Sequence, residues 1–248
     1  MLFRSNTHIL VDAGISNKKI ETRLNELGLC PGDISGIFLT HEHSDHIVGL
    51  EVFVRKNEIP VYASKGTLNY LRSQGKYSRI SDYFCEIDSN KDVKVGDLDI
   101  FAFDIDHDAN EPFGYRIECG SKKVAVATDL GRYTEDIIRQ LSNLDALLIE
   151  ANHDIGMLEA GPYPYNLKRR ILSEKGHLSN ENSGRLICEI LNEGLKKIFL
   201  GHLSDKNNYP QLALESVRCE ILAEKKYNPD DFDIEVAKRD AISQVCYI

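Results

Sequence analysis

The apolar positions of this chain form short continuous runs that alternate with runs of helical spacing. The continuous runs predict strands at 8–12, 34–39, 60–63, 98–103, 113–119, 122–128, 146–149, 197–200, 232–236 and 243–247. Apolar residues three and four positions apart predict helices at 16–27, 47–54, 64–73, 134–142, 164–173, 179–192 and 210–225. Ser16 is placed to cap the first helix and Gly28 to end it. Such alternation indicates sheets covered by helices.

Length, composition and charge limit the class of protein but do not identify its function. The 248 residues suit one large domain or two small ones. No apolar run approaches the ~20 residues of a membrane span, and the first 13 residues lack a signal-peptide pattern, so we expect no membrane partner. The six cysteines are scattered and are expected to be reduced thiols. The net charge of −9 disfavours whole-molecule attraction to nucleic acid but leaves room for a local basic patch.

Metal-binding side chains are concentrated between a predicted strand and the helix that follows it. Within six residues the chain carries His41, His43, Asp45 and His46. Imidazole and carboxylate groups suit zinc and also harder ions such as manganese. His41 and His43 point the same way in an extended segment, whereas the other two follow where the chain turns, which predicts two ions. The alternatives are an accidental surface cluster or one structural site. A structural zinc site would prefer cysteines, and no cysteine lies near this segment.

Further ligand-type residues follow the ends of predicted strands: Asp12, His107, Asp129, Glu150 and His202. Side chains at strand ends converge readily at one edge of a sheet. We therefore expect His107, Asp129 and His202 to join the first cluster. For Asp12 and Glu150 taken singly, a loop residue facing water is an equally good interpretation.

The order of these residues resembles that of the metallo-β-lactamase-fold hydrolases, over essentially the whole chain. That family has an Asp after the first strands, then HxHxDH, a distal His, a bridging Asp and a final His. Other segments resemble the YycJ/WalJ (VicX) branch, whose members are bacterial cytoplasmic DNA exonucleases that act 5′ to 3′ and are tied to mismatch repair. These segments are LVDAG at 10–14, HDA at 107–109, PFGY at 112–115, ATDLG at 127–131, EANHD at 150–154, GPYP at 161–164, GHLSN at 176–180 and GHLS at 201–204.

The resemblance implies an α/β (α+β) fold, an αββα sandwich of two mixed β-sheets flanked by helices. It also implies a single domain over 1–248. Members of the branch usually open with a strand and a Ser/Gly-rich loop before the first Asp. The eleven residues before Asp12 carry no such loop, so we expect an N-terminal strand and a substrate-facing loop to be missing.

The resemblance further implies a dinuclear site. Three groups of ligands would hold two divalent ions, zinc or manganese with iron also compatible: His41, His43 and His107 for one ion, Asp45, His46 and His202 for the other, and Asp129 as the bridge. A hydroxide bound by both ions would attack phosphorus in line. Asp45 would act in addition as a catalytic base that orients the nucleophile.

His177 is a second candidate catalytic residue outside the ligand set. It precedes a predicted helix whose N-cap is Ser179, and a helix N-terminus with an imidazole can hold a phosphate. We therefore predict His177 at the substrate site. The alternative is a loop histidine that orients a metal ligand. His153 fits a site role and an ordinary role equally well.

Two basic runs are candidates for contact with DNA. Lys168-Arg169-Arg170 lies near Tyr163 and Tyr165, which can stack on unpaired bases, so we predict that this run lines a nucleic-acid groove. Lys196-Lys197 is interpreted as a solvated helix face.

Three functions remain open at this stage. The first is a metal-dependent phosphodiesterase, a 5′–3′ DNA exonuclease acting on duplex ends. The second is a small-molecule phosphodiesterase or thioester hydrolase of the same fold, mildly favoured by the acidic charge. The third is a binding or regulatory protein without catalysis, against which the intact ligand set argues. The sequence names no protein partner.

Overall fold

A computed structural model describes residues 1–89 and 91–248. These residues divide into two compact units. The first unit consists of Met1–Asp104 and Ala109–Gly120, and the second of Ile105–Asp108 and Ser121–Ile248. The expectation of one domain over 1–248 stays a prediction. No helix in the described part of the chain is both long and apolar enough to cross a membrane.

The first unit contains eight of the described strands and four of the described α-helices. The strands are β1 (Leu2–Arg4), β2 (His8–Val11), β3 (Ile34–Phe38), β4 (Val61–Ala63), β5 (Phe84–Glu86), β6 (Asp92–Val95), β7 (Leu98–Asp104) and β8 (Phe113–Cys119). The helices are α1 (Asn17–Glu26), α2 (Ser44–Ile47), α3 (Leu50–Asn57) and α4 (Lys65–Ser73), with 3₁₀ turns at Pro31–Asp33 and Gly75–Tyr83.

A five-stranded sheet in the order β1-β2-β3-β4-β5 organises this unit. β1 is antiparallel to β2, and the other pairs are parallel. Fully buried Ile37 and Val61 on the strands pack in one core with Phe53 of α3 and Leu68 of α4. Because β2 and β3 are parallel, the residues that follow both strands emerge at the same edge. Strands β6, β7 and β8 form an antiparallel set.

The second unit is built on parallel strands. Its strands are β9 (Lys122–Ala127), β10 (Ala146–Glu150), β11 (Lys197–Gly201) and β12 (Asp233–Val236), paired in that order. Its helices are α5 (Glu135–Gln140), α6 (Ile155–Ala160), α7 (Tyr165–Ile171), α8 (Asn180–Ile190) and α9 (Pro210–Glu224), with a 3₁₀ turn at Pro229–Asp231. The register places Ala127, Ile149 and Leu200 side by side, so the loops after β9, β10 and β11 start at one edge.

The predicted fold class is confirmed: the strands form two mixed β-sheets flanked by helices. The first helix is capped as predicted, since Ser16 Oγ accepts a hydrogen bond from Lys19 N and Gly28 has a positive φ of 73°. One prediction differs in its bounds and one is wrong. The helix predicted at 47–54 is present as α3, but it begins at Leu50, after the separate short helix α2. The described chain has no strand at 243–247; there the Gln244 side chain instead accepts a hydrogen bond from Lys197.

Candidate metal centre

The histidine-rich segment of the first unit follows β3. Residues 39–43 are extended or irregular, and Asp45 and His46 then lie in the first turn of α2. Gly14 lets this turn pack closely, because a Cβ at that position would collide with the Asp45 carbonyl. The backbone adds two bonds, from Ala13 N to His46 O and from Gly49 N to Ala13 O. The loop that carries Asp12 therefore fixes α2.

Asp12 and Thr40 orient two of the histidines. Asp12 Oδ1 accepts hydrogen bonds from Thr40 N at 2.8 Å and Thr40 Oγ1 at 3.1 Å, while Asp12 Oδ2 lies 2.8 Å from His46 Nδ1. Thr40 Oγ1 lies 3.0 Å from His41 Nδ1. Burial alone would raise the pKa of Asp12, but the His46 imidazole and the Thr40 N–H outweigh it and lower that pKa. Asp12 is thus an ionised orienting group rather than a solvent-facing loop residue.

The remaining ring nitrogens of this cluster lie at ligand spacing. His41 Nε2 is 2.9 Å from His43 Nδ1, and His46 Nε2 is 3.7 Å from Asp45 Oδ2. Two nitrogens bound to one tetrahedral zinc at ~2.05 Å would be about 3.3 Å apart. His41 and His46 are buried, whereas the Asp45 side chain is 65% exposed. Asp45 can therefore face a metal and solvent together.

Three of the residues that directly follow strands share one unusual backbone feature, a positive φ angle. Asp12 after β2, Asp129 after β9 and His202 after β11 have positive φ angles of 63°, 62° and 56°. The left-handed region costs a non-glycine residue roughly 1–2 kcal/mol. Such strain persists only where surrounding contacts fix the conformation, and it is commonly found at functional sites.

Glu150 is the centre of the second-unit cluster. Its side chain is 0% exposed, and Oε1 accepts hydrogen bonds from Leu130 N at 2.7 Å and Leu178 N at 2.8 Å. Oε2 lies 3.2 Å from His177 Nδ1 and 3.3 Å from His202 Nδ1. Burial would raise the pKa of Glu150, yet the two imidazoles outweigh it and lower that pKa. One carboxylate therefore orients two histidines from different loops.

Asp129 lies among the histidines of this unit. Its Oδ1 is 3.4 Å from His202 Nε2, 3.7 Å from His107 Nε2 and 3.8 Å from His177 Nδ1. His107 Nδ1 is 3.1 Å from Gly176 O, so a protonated Nδ1 can donate to that carbonyl. Ligand atoms of four residues lie within 4.8 Å of one another: Asp129, Glu150, His177 and His202.

These residues fit divalent metal ions. In His41, His46, His107 and His202, Nδ1 lies against an oxygen atom, which leaves Nε2 as the nitrogen that can bind a metal. Orienting contacts of this kind typically surround metal-binding histidines. Burial is also the leading cause that lowers the pKa of His107, which favours the neutral imidazole that a metal requires.

The structure revises the basis for placing His177 at a helix N-terminus. Two amides near that terminus already donate within the protein, Leu178 N to Glu150 and Asn180 N to His153 O. The imidazole itself lies in the carboxylate cluster. Burial lowers the pKa of His177, but the hydrogen bond and charge of Glu150 outweigh it and raise that pKa. His153 is buried nearby, and neither ring nitrogen has a hydrogen-bond partner among the described residues; burial lowers its pKa to about 4.

The sequence did not reveal the role of Thr40, and the prediction for Lys197 is wrong. Thr40 directly precedes the histidine-rich segment, but its hydroxyl contacts depend on the tertiary structure. Lys197 is not on a solvated helix face: it starts β11, is 2% exposed and pairs with Asp233 at 2.7 Å and Glu235 at 2.8 Å.

Comparison with known proteins identifies the family. Residues 7–195 match the Beta-lactamase superfamily domain. The chain is 40% identical over 220 residues to exodeoxyribonuclease YycJ of Bacillus anthracis, covering 88% of this chain and 82% of that protein. It is 41% identical over 212 residues to exodeoxyribonuclease WalJ of Streptococcus pneumoniae serotype 2 (strain D39 / NCTC 7466), covering 84% and 78%.

The fold is also found in a solved structure, the metallo-β-lactamase fold protein YhfI from Bacillus subtilis. The match has a TM-score of 0.67 at 19% identity and covers 96% of this chain and 88% of YhfI. This likeness shows the fold alone. The sequence matches show that the chain belongs to the metallo-β-lactamase superfamily and, within it, to the branch of hydrolases that contains the exodeoxyribonucleases YycJ and WalJ.

Proposed function

We propose that this protein is a metal-dependent DNA exonuclease that degrades duplex ends from 5′ to 3′. The observation that carries the proposal is the identity of about 40%, over most of the chain, to two exodeoxyribonucleases. The clustering of imidazoles and carboxylates in each unit supports metal-dependent phosphodiester hydrolysis. The cytoplasmic location implied by the resemblance stays a prediction.

The proposed ligand set divides between two divalent ions, zinc or manganese with iron also compatible. His41, His43 and His107 would hold one ion, and Asp45, His46 and His202 the other. Asp129 would bridge them. The orientation of the imidazoles by Asp12, Thr40, Glu150 and the Gly176 carbonyl supports this set. Ions bound there would lower the pKa of a water molecule and neutralise charge on the phosphoryl oxygens.

Two side chains of the protein are assigned catalytic roles in the proposal. Asp45 is the exposed carboxylate of the first cluster, and we assign it the orientation of the attacking water and acceptance of its proton. His177 is held at Nδ1 by Glu150, and its side chain is 19% exposed, whereas that of Asp129 is 2% exposed. We assign His177 to the 5′-phosphate of the DNA end, which it can contact through Nε2.

The experiment is a comparison of substrates with one variant and one control. His177→Ala should lower cleavage of a 5′-phosphorylated duplex at least tenfold more than hydrolysis of bis-p-nitrophenyl phosphate, because the small diester has no terminal 5′-phosphate for His177 to contact. Metal content should stay at the wild-type value. His8→Ala, at the start of β2 and so at the opposite end of that strand from Asp12, serves as the control and should change neither activity.

Each of the other possible outcomes would show that a different part of the proposal is wrong. Equal losses on both substrates would give His177 a role in the chemical step, and lost metal would make it a ligand. If the wild-type protein hydrolysed only the small diester and left every DNA end intact, the nuclease proposal would be wrong and a small-molecule hydrolase would replace it.

A further inference from the structure

We propose that helix α7 binds the single-stranded end of the DNA substrate, with Tyr165 stacking on a base and Arg169 contacting the phosphate backbone. The inference rests on the proposed nuclease function. It adds the place where the substrate strand lies on the second unit and the two side chains that hold it.

The C-terminal end of α7 is tied to the second-unit cluster. Arg170 donates two hydrogen bonds to the Asp108 carboxylate, one of them from Nη2 to Oδ1 at 3.0 Å. Asp108 Oδ1 in turn lies 3.5 Å from His107 Nε2. Ile171, the last residue of the helix, accepts a hydrogen bond from His177 N at 3.0 Å. The C-terminal end of α7 is therefore held beside His107 and His177.

An aromatic side chain and a cation occupy the exposed side of this helix. Tyr165 is 73% exposed, and the Arg169 guanidinium carbon lies 5.9 Å from the centre of its ring. Residues four apart lie on one helix face. From Tyr165 to Arg170 the helix advances about 7.5 Å along its axis. A strand whose phosphate lies in the cluster would thus pass Arg169 and then Tyr165.

The charges of α7 favour a polyanion as the occupant. Lys168, Arg169 and Arg170 are consecutive in a chain whose net charge is −9. Arg170 is paired with Asp108, and Lys168 Nζ donates to the Glu159 backbone carbonyl at 2.7 Å. The Glu159 carbonyl has no net charge and does not neutralise Lys168. Lys168 and Arg169 therefore remain as cations that can attract phosphate. An aromatic ring beside cations is the combination that binds unpaired bases without sequence preference.

The experiment measures the affinity of the metal-loaded protein for a fluorescent single-stranded oligonucleotide protected by phosphorothioate linkages. Tyr165→Ala should weaken binding about 5-fold or more, the lower end of base stacking on an aromatic side chain. Tyr165→Phe should restore binding, because the ring is what stacks. Arg169→Ala should reduce the slope of log Kd against log salt by about 0.7. Tyr247→Ala, which removes an 89% exposed tyrosine, and Arg139→Ala, in α5, are matched controls that should bind like the wild type.

The outcomes separate this inference from the proposed function. A wild-type protein that degrades DNA, with Tyr165→Ala and Arg169→Ala both binding within twofold of it, would overturn the role of α7 alone. Equal weakening by Tyr165→Ala and Tyr165→Phe would also overturn it, since stacking would not be the cause. A wild-type protein that neither binds nor degrades DNA would overturn both proposals.

Discussion

Glu150→Gln is the change that most sharply tests how the second-unit cluster is organised. The amide oxygen of Gln can still accept from Leu130 N and Leu178 N, so the fold should survive with a loss of about 1–3 kcal/mol. The amide NH₂, however, replaces the oxygen that faces His177 Nδ1 and His202 Nδ1. The amide N–H groups would then face the N–H groups of both imidazoles, so these hydrogen bonds could not form. Otherwise the imidazoles would change tautomer and carry their proton on Nε2, the nitrogen that faces the metal.

The expected magnitude follows from the loss of an orienting partner. Removing such a contact typically weakens metal binding 10- to 100-fold, or about 1.4–2.7 kcal/mol. We expect this loss for the ion assigned to Asp45, His46 and His202, measured by competition of the apoprotein with a fluorescent zinc chelator. The other ion should keep its affinity within about threefold.

A matched control and circular dichroism make the result interpretable. Glu51→Gln replaces another buried glutamate, one that pairs with Arg55 at 2.9 Å, and should bind metal like the wild type. If Glu150→Gln were folded and bound both ions with wild-type affinity, the assignment of Glu150 as the orienting carboxylate would be refuted.

Three further outcomes are expected. Asp129→Asn should impair both metals and His41→Ala mainly one, as counted by elemental analysis; full content and activity in Asp129→Asn would exclude a bridge. Hydrogen bonds from Thr7 and Ser5 hold the pKa of Asp97 well below its usual range. The ionised carboxylate therefore stabilises the folded protein above about pH 4, and this stabilisation is lost as the pH falls through the lower pKa that Asp97 has in the folded state. The difference in thermal stability between wild type and Asp97→Asn should therefore shrink from pH 6 to pH 2, and a constant difference would contradict this. Phe53→Ala should cost about 3–5 kcal/mol in urea unfolding, because Phe53 is fully buried, whereas half-exposed Val48 should tolerate alanine within about 0.5 kcal/mol.

Much of the architecture could be predicted from sequence because local patterns determine it. The apolar runs that became β3, β10 and β11 are short, continuous and followed by ligand-type residues. The caps at Ser16, Ser64 and Ser179 are local hydrogen bonds between a side chain and the backbone three residues on. The resemblance to a family then supplied the expected order of metal ligands, which the spacing of residues alone could not supply.

The remaining features depend on contacts between distant segments. Glu150 meets His177 and His202 from 27 and 52 residues away, so its role could not be separated from that of a loop residue. Lys197 looked solvated because its acidic partners lie 36 and 38 residues further along. The segment 243–247 has a strand-like pattern, but a strand also requires an edge to pair with, and that is a property of the tertiary structure.

The central claim is that this protein is a metal-dependent DNA exonuclease. Its most direct test is the release of mononucleotides from linear duplex DNA and from covalently closed circular DNA of the same sequence, by protein stripped of metal and then supplied with manganese or zinc. We predict release from the linear duplex only, beginning at 5′ ends, dependent on added metal and absent in Asp45→Asn. Cutting of the closed circle at a comparable rate, or undiminished release from the linear duplex by the metal-free protein, would contradict the account.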